Sequence, residues 1–214
     1  PATWIPLAER DTLRVKIVTP AGRFLSADDL IAQLGPRTRL VSVSLVRFDD
    51  ASLLDAQRLT AACRRSGVYV LLDVSQCAGA MPMDVRVLGA DFLVCAGYKW
   101  LLSPYGTGFL WVRGDLIDQL RVAPFYWMAV EGAANFHSLP LAGMKPARGA
   151  RRWDSPETAS FFNLATMEAS LEFLLRVGVE NIWTHNAALI ESLIERLPRD
   201  RCILASPTDA AARG

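Results

Sequence analysis

Val68–Val112 reads VYVLLDVSQCAGAMPMDVRVLGADFLVCAGYKWLLSPYGTGFLWV. It holds two short apolar runs, Val68–Leu72 and Phe92–Cys95, rich in β-branched and aromatic residues and bounded by turn signals. Such runs read as strands buried on both faces of a parallel sheet. The first run ends on Asp73, in Leu71-Leu72-Asp73-Val74-Ser75-Gln76. The second leads into Lys99, in Cys95-Ala96-Gly97-Tyr98-Lys99-Trp100-Leu101. Ligands of open parallel sheets bind beyond the carboxyl ends of the strands. A carboxylate at one strand end and an amine past the next therefore face one crevice.

Strand and helix signals alternate on either side of this stretch. Leu13–Val18 reads as a strand ended by the turn Pro20-Ala21-Gly22. Ser26 caps a short helix through Leu34, stopped by Gly35-Pro36. Arg39–Leu45 is a further strand. Leu53–Ser66 carries apolar residues at helical spacing and stops at Gly67, a sound residue just past a helix end. Gly108–Val112 is another strand, Ser160–Val177 a strongly apolar helix ended by Gly178, and Val179–Leu197 a second helix closed by Pro198. Arg201–Ala205 reads as a strand. Leu120–Ser155 is irregular, with Pro, Gly and aromatics, the signature of a functional or interface loop. The alternation predicts an α/β fold: a three-layer, doubly wound, mainly parallel sheet.

The whole chain has 214 residues, with 23 basic against 22 acidic, and 51% of it is hydrophobic. The near balance of charge gives no electrostatic case for nucleic acid or an anionic membrane. The longest uncharged run near the middle, Trp100–Val112, is too short to span a bilayer. No basic segment followed by an apolar one opens the sequence, so no signal peptide is read there. Cys63, Cys77, Cys95 and Cys202 lack metal-ligand spacing and read as reduced thiols of a cytoplasmic protein. His137 and His185 lack partners for a metal, and no metal site is expected.

The chemistry that wants a carboxylate and an amine in one crevice is that of pyridoxal 5′-phosphate, with the amine as Schiff base and the carboxylate on the pyridinium nitrogen. The Asp-x-x-Gln after a strand, the Ala-Asp-Phe strand, Tyr-Lys-Trp and the Gly-x-Gly-Phe-Leu that follows match a family in order and spacing. On these motifs Val68–Val112 resembles the cofactor core of class V, fold type I, pyridoxal-phosphate enzymes. That group spans aminotransferases, cysteine desulfurases, isopenicillin-epimerase-like proteins and kynureninases. Weaker resemblance runs from about Trp4 to the C-terminus.

The resemblance implies roles. Lys99 is the Schiff-base lysine and Asp73 the partner of the pyridine nitrogen. Gln76 contacts the cofactor's phenolic oxygen, and Tyr98 donates to its phosphate as in the kynureninase pattern. Thr158 lies near the Thr that, in dimers of the family, reaches the phosphate of the partner's cofactor. Each has a plainer competing reading: a snorkelling lysine, a strand-end cap, a solvated amide, a packed aromatic. Two departures stand out. Pro156-Glu157 replaces the family's Gly-Thr, and Val46–Asp50 replaces a Thr-Gly turn, leaving Asp49 and Asp50 as loop carboxylates. Arg148, Arg151, Arg152 and Lys145 form a basic cluster suited to phosphate or a carboxylate, with solvated loops as the alternative. Cys202 is not placed like a desulfurase nucleophile.

By the same resemblance, residues 1–155 belong to the cofactor-binding large domain, lacking its N-terminal portion. Residues 156–214 form the connecting helices and the truncated start of a small C-terminal α+β domain. The expected protein is a homodimeric enzyme acting on the amino group and Cα of an amino acid or amine, in an aminotransferase- or epimerase-like way. The alternatives are a catalytically incomplete relative acting as an interaction module, and a cysteine desulfurase or lyase.

Overall fold

The computed structural model describes residues 4–10, 13–121, 126–135, 137, 142–154 and 160–214. After a short helix α1 (Ile5–Glu9), the chain runs irregularly to α2 (Ala27–Ile31). A full capping box starts α2: Ser26 Oγ accepts from Asp29 N–H, and the Asp29 carboxylate accepts from Ser26 N–H. Then come β1 (Leu40–Ser44), α3 (Ala56–Arg65), β2 (Tyr69–Asp73), α4 (Val85–Leu88), β3 (Phe92–Ala96) and β4 (Gly108–Val112). Short 3-10 turns follow, and then the long helices α5 (Phe161–Val177) and α6 (Val179–Arg196).

The four strands form one sheet in the order β1-β2-β3-β4. The β1/β2 and β2/β3 pairs are parallel, and β3/β4 is antiparallel. The sheet is thus mixed, mainly parallel and flanked by helices, as the alternation of signals predicts. Register sorts its side chains. Val70 and Leu72 of β2 and Leu93 and Cys95 of β3 are buried and join Leu59 and Cys63 of α3 in one core. Asp73 shares the opposite, half-buried face with Leu71 and Val94. Met167 and Leu174 carry α5 into the same core.

Three local expectations differ from the structure. Leu13–Val18 and Arg201–Ala205 form no strand. Apolar alternation signals a strand only where a neighbour offers N–H and C=O groups, and neither segment pairs with the sheet. Ile17 and Ile203 are 64% and 93% exposed, so these segments also bury little. The helix expected from Leu53 starts at Ala56, because the Asp55 carboxylate accepts from Arg58 N–H and sets the N-cap there. Leu53 instead bridges Val46 across a tight turn that puts Ala51 at φ 55°. A left-handed alanine sits there without the glycine that such a turn favours.

Asp91, one residue before β3, pins the amino end of that strand. Its Oδ2 accepts from Val70 N–H at 2.7 Å, and its Oδ1 pairs with Arg113 at 2.7 Å. Its own N–H donates to the Val70 carbonyl, and its carbonyl accepts from Arg113 N–H. One buried residue thereby joins β2, β3 and the end of β4. Asp91→Ala leaves the Val70 N–H unsatisfied and the guanidinium short of a partner. It should cost about 3 kcal/mol in urea unfolding, and a loss under 1 kcal/mol (roughly one ordinary hydrogen bond) contradicts this role.

Candidate functional site

Parallel pairing brings the carboxyl ends of β1, β2 and β3 to one edge. Ser44 lies opposite Asp73 and Asp73 opposite Val94. Antiparallel β4 starts from that same edge, with Gly108 opposite Ala96. The segments between these ends carry the candidate residues.

Asp73 closes β2 and is half-buried. Its carbonyl accepts from Leu45 N–H at 2.9 Å, and its Oδ1 accepts from Ser75 N–H at 2.8 Å. The second carboxylate oxygen has no hydrogen bond among the described residues. Past Asp73 the backbone makes one helical turn, with Ala78 N–H bonded to the Val74 carbonyl at 2.8 Å. Gln76 lies on that turn, half-buried, and its amide makes no hydrogen bond among the described residues. Gly79 has φ +94°, and a Cβ there would come within 2.5 Å of the Trp100 carbonyl oxygen. The glycine thus lets the turn after Asp73 rest directly on the Lys99 loop.

The Lys99 loop is cinched by its own backbone. Gly97 N–H donates to the Thr107 carbonyl, Ser103 N–H to Gly97, and Leu102 N–H to Lys99, at 2.9–3.0 Å. Leu101 plugs into the core, and Leu102 adopts φ 55°. Helix α5 braces the loop: Asn163 Nδ2 donates to the Tyr105 carbonyl at 3.2 Å and Ser170 Oγ to that of Leu102 at 2.9 Å. Lys99 itself is half-buried and has no ion pair among the described residues. Its ammonium lies 5.9 Å from the centre of the Tyr98 ring, within cation–π range. Tyr98 is 42% exposed and stacks on Tyr105, with ring centres 4.4 Å apart.

Asp73 and Lys99 meet electrostatically at Cys95. Burial pushes that thiol up to about 11; the Asp73 charge adds to the shift, while Ser75 and Lys99 oppose it. Burial pushes Cys77 up to about 12, with Cys95 and Asp73 contributing. Neither thiol is a nucleophile near neutral pH.

Thr158, with Pro156 and Glu157, lies outside the described residues. Arg152 pairs with Asp118 at 2.5 Å, Arg148 with Glu131 at 3.4 Å, and Arg151 donates to the Met128 carbonyl. The three arginines of the basic cluster are therefore engaged locally. Arg47 holds both Asp49 and Asp50, which makes them loop carboxylates. Among the described residues no group of side chains could hold a metal. Cavities of about 350 and 290 Å³ lie elsewhere, against Phe24 and Arg58 and against Leu45 and Met83. Sequence reasoning missed Ser75 and Asp91; the one signal available was that each is a short polar residue beside a strand end.

A carboxylate with a free oxygen and an amine with no counter-ion, carried on touching loops, are the donor set for a pyridinium nitrogen and a carbonyl. The residues present fit pyridoxal phosphate. The family model for class-V aminotransferases matches residues 2–213, so the chain belongs to that family. Pyridoxal phosphate is the family's cofactor. A probable cysteine desulfurase of Streptomyces coelicolor is 30% identical over 99% of this chain and 49% of its own length. Isopenicillin N epimerase of Amycolatopsis lactamdurans is 37% identical over 51% of this chain and 28% of its own. Among solved structures, the apo cysteine desulfurase of Thermococcus onnurineus NA1 covers the whole chain and 52% of its own, with TM-score 0.83 at 20% identity. A C-DES mutant with glycine covalently linked to the PLP cofactor has TM-score 0.68 at 27% identity, over 80% and 45%. The chain spans about half the length of the curated relatives that it matches along most of its length. No helix among the described residues is long and apolar enough to cross a membrane.

The raised thiols set a pH dependence. Cys77 and Cys95 keep their protons in the folded protein past the ordinary value of 9.0. Their stabilising contribution is complete below pH 9 and is lost as pH rises toward 11 and 12. At pH 8 iodoacetamide should label exposed Cys202 first and leave Cys77 and Cys95 unlabelled until unfolding. Early labelling of Cys95, mapped by mass spectrometry, contradicts the burial argument.

Proposed function

We propose that this chain carries the lysine and carboxylate of a pyridoxal-phosphate enzyme acting on the amino group and Cα of an amino acid. The observation supporting this most strongly is the pairing of Asp73 and Lys99 on contacting loops at one sheet edge. Bound there, pyridoxal phosphate supplies an aldehyde for an amine and a ring that accepts the electrons released when a bond to Cα breaks. Lys99 attaches the group through Nζ. Among the described residues it has no carboxylate partner, which leaves the amine open to the cofactor's aldehyde. With the cofactor bound, the same Nζ would be the group to remove and return a Cα proton. Asp73 would hold the pyridine nitrogen through its carboxylate, one oxygen of which Ser75 N–H leaves open. Gln76 and Tyr98 serve the ring substituents and phosphate, and Thr158 the phosphate across a dimer.

The reaction type that asks least of these residues is proton movement at Cα, in the aminotransferase- or epimerase-like manner. A C–S cleavage reading is favoured by the names of several relatives. It needs either an accessible thiolate acceptor or release of the sulfur to solvent; Cys77 and Cys95 are too buried and too basic for the first, and Cys202 is the exposed thiol among the described residues. The proposal extends to a homodimer, supported by Phe161, Phe162 and Leu175 standing exposed on α5. It includes a division at residue 155 between a cofactor-binding portion and connecting helices that start a small domain.

Incubation with pyridoxal phosphate, borohydride reduction and peptide mapping tests the assignment. The wild type should carry the adduct on Lys99, and Lys99→Ala should carry none while unfolding at an unchanged midpoint. An adduct retained by Lys99→Ala defeats it. Asp73→Ala should still be trapped, yet exchange Cα protons of amino acids in D₂O about a hundredfold more slowly. Sulfide release from cysteine without Cα exchange of other amino acids would shift the reading to C–S cleavage.

A further inference from the structure

The turn between the two candidate groups contains one residue that touches both sides. Strand β2 leaves the sheet early: Val74 N–H reaches the Val94 carbonyl at 2.9 Å, and there the backbone ladder to β3 stops. Strand β3 runs two residues further, so the Ala96 N–H that follows on the same side has no strand partner in β2. Ser75 fills the place with its side chain. Its Oγ accepts from Ala96 N–H at 2.8 Å, and the residue is only 6% exposed. The backbone N–H of the same Ser75 donates to Asp73 Oδ1 at 2.8 Å.

We propose that Ser75 is a positioning residue that sets the Asp73 carboxylate and the start of the Lys99 loop relative to one another. Its N–H fixes which oxygen of Asp73 stays open. Its hydroxyl fixes where β3 ends, at the residue before Gly97, from which the cinched loop carrying Lys99 departs. A shift of Ser75 therefore moves both groups together. An alanine there keeps the first bond and breaks the second, and so uncouples them. The Ala96 N–H then loses its partner at a part-buried position. The inference rests on the assignment of Asp73 and Lys99 under the proposed function, but its first readout does not.

The experiment compares wild type, Ser75→Ala and Ser75→Thr. Amide hydrogen exchange of the protein without cofactor reads the Ala96 N–H directly. Ser75→Ala should accelerate it by about tenfold while β1 amides stay unchanged. In the protein loaded with pyridoxal phosphate, the pH midpoint of the visible absorbance should move in Ser75→Ala by about half a unit. Ser75→Thr, which keeps the hydroxyl, should restore both values. Unchanged Ala96 exchange overturns the proposal. Faster exchange with an unmoved midpoint overturns it too, leaving a bond that only stabilises the fold. If the wild type traps no adduct on Lys99, the functional reading falls, and the exchange result still reports the bond between Ser75 and Ala96.

Discussion

Everything in this chain that bears on chemistry hangs from the parallel pairing of β2 with β3. Parallel strands end at the same edge, so a residue at the end of one stands beside a residue just past the end of the other. Asp73 opposite Val94 is the register that makes this so. A one-residue slip would turn Asp73 toward the face packed on α3, among Leu59, Cys63 and Leu93, where an ionised carboxylate has no partner. The register is defended at both ends: Asp91 bridges Val70 and Arg113 at the amino end, and Ser75 meets Ala96 at the carboxyl end.

The same edge keeps a carboxylate and an amine near one another without spending them on a direct ion pair. Among the described residues Asp73 is satisfied on one oxygen by a backbone N–H, and Lys99 lies toward the face of Tyr98. Both act on the Cys95 thiol, in opposite directions. A salt bridge would have engaged both groups with one another. Keeping them apart leaves each available to a third party, which is what a family built on one cofactor requires.

The sequence made the sheet, and the placement of Asp73 and Lys99 at its carboxyl edge, legible because the information is local. Short β-branched runs with a charged residue at the end announce buried strands and the edge where they stop. Gly67 and Gly178 mark real helix ends, and Ser160 a real start. Leu13–Val18 and Arg201–Ala205 misled because periodicity reports a face and says nothing of a neighbour. Asp91 and Ser75 were opaque for a related reason. A short polar residue beside a strand looks like turn chemistry, and only the register shows that its partner is a backbone N–H on another strand. The turn at Ala51 was equally hidden, since alanine carries no signal for a positive φ. The departure from a Thr-Gly turn at Val46–Asp50 was visible as a substitution, and its outcome is an Arg47-centred ion-pair cluster.

Strand β4 reverses direction after the Lys99 loop, and this bears on the order in which the molecule is assembled. A hairpin joins segments near in sequence, so β3, the loop and β4 can close with little loss of chain entropy. The β2/β3 pairing must wait for a crossover through α4, and β1/β2 for one through α3. The lysine is thus carried on the part of the sheet with the lowest contact order, and the carboxylate is brought to it by the slower, longer-range step. The amine-bearing loop is thus closed by residues near in sequence, while the carboxylate stands beside it only through the longer-range parallel pairing.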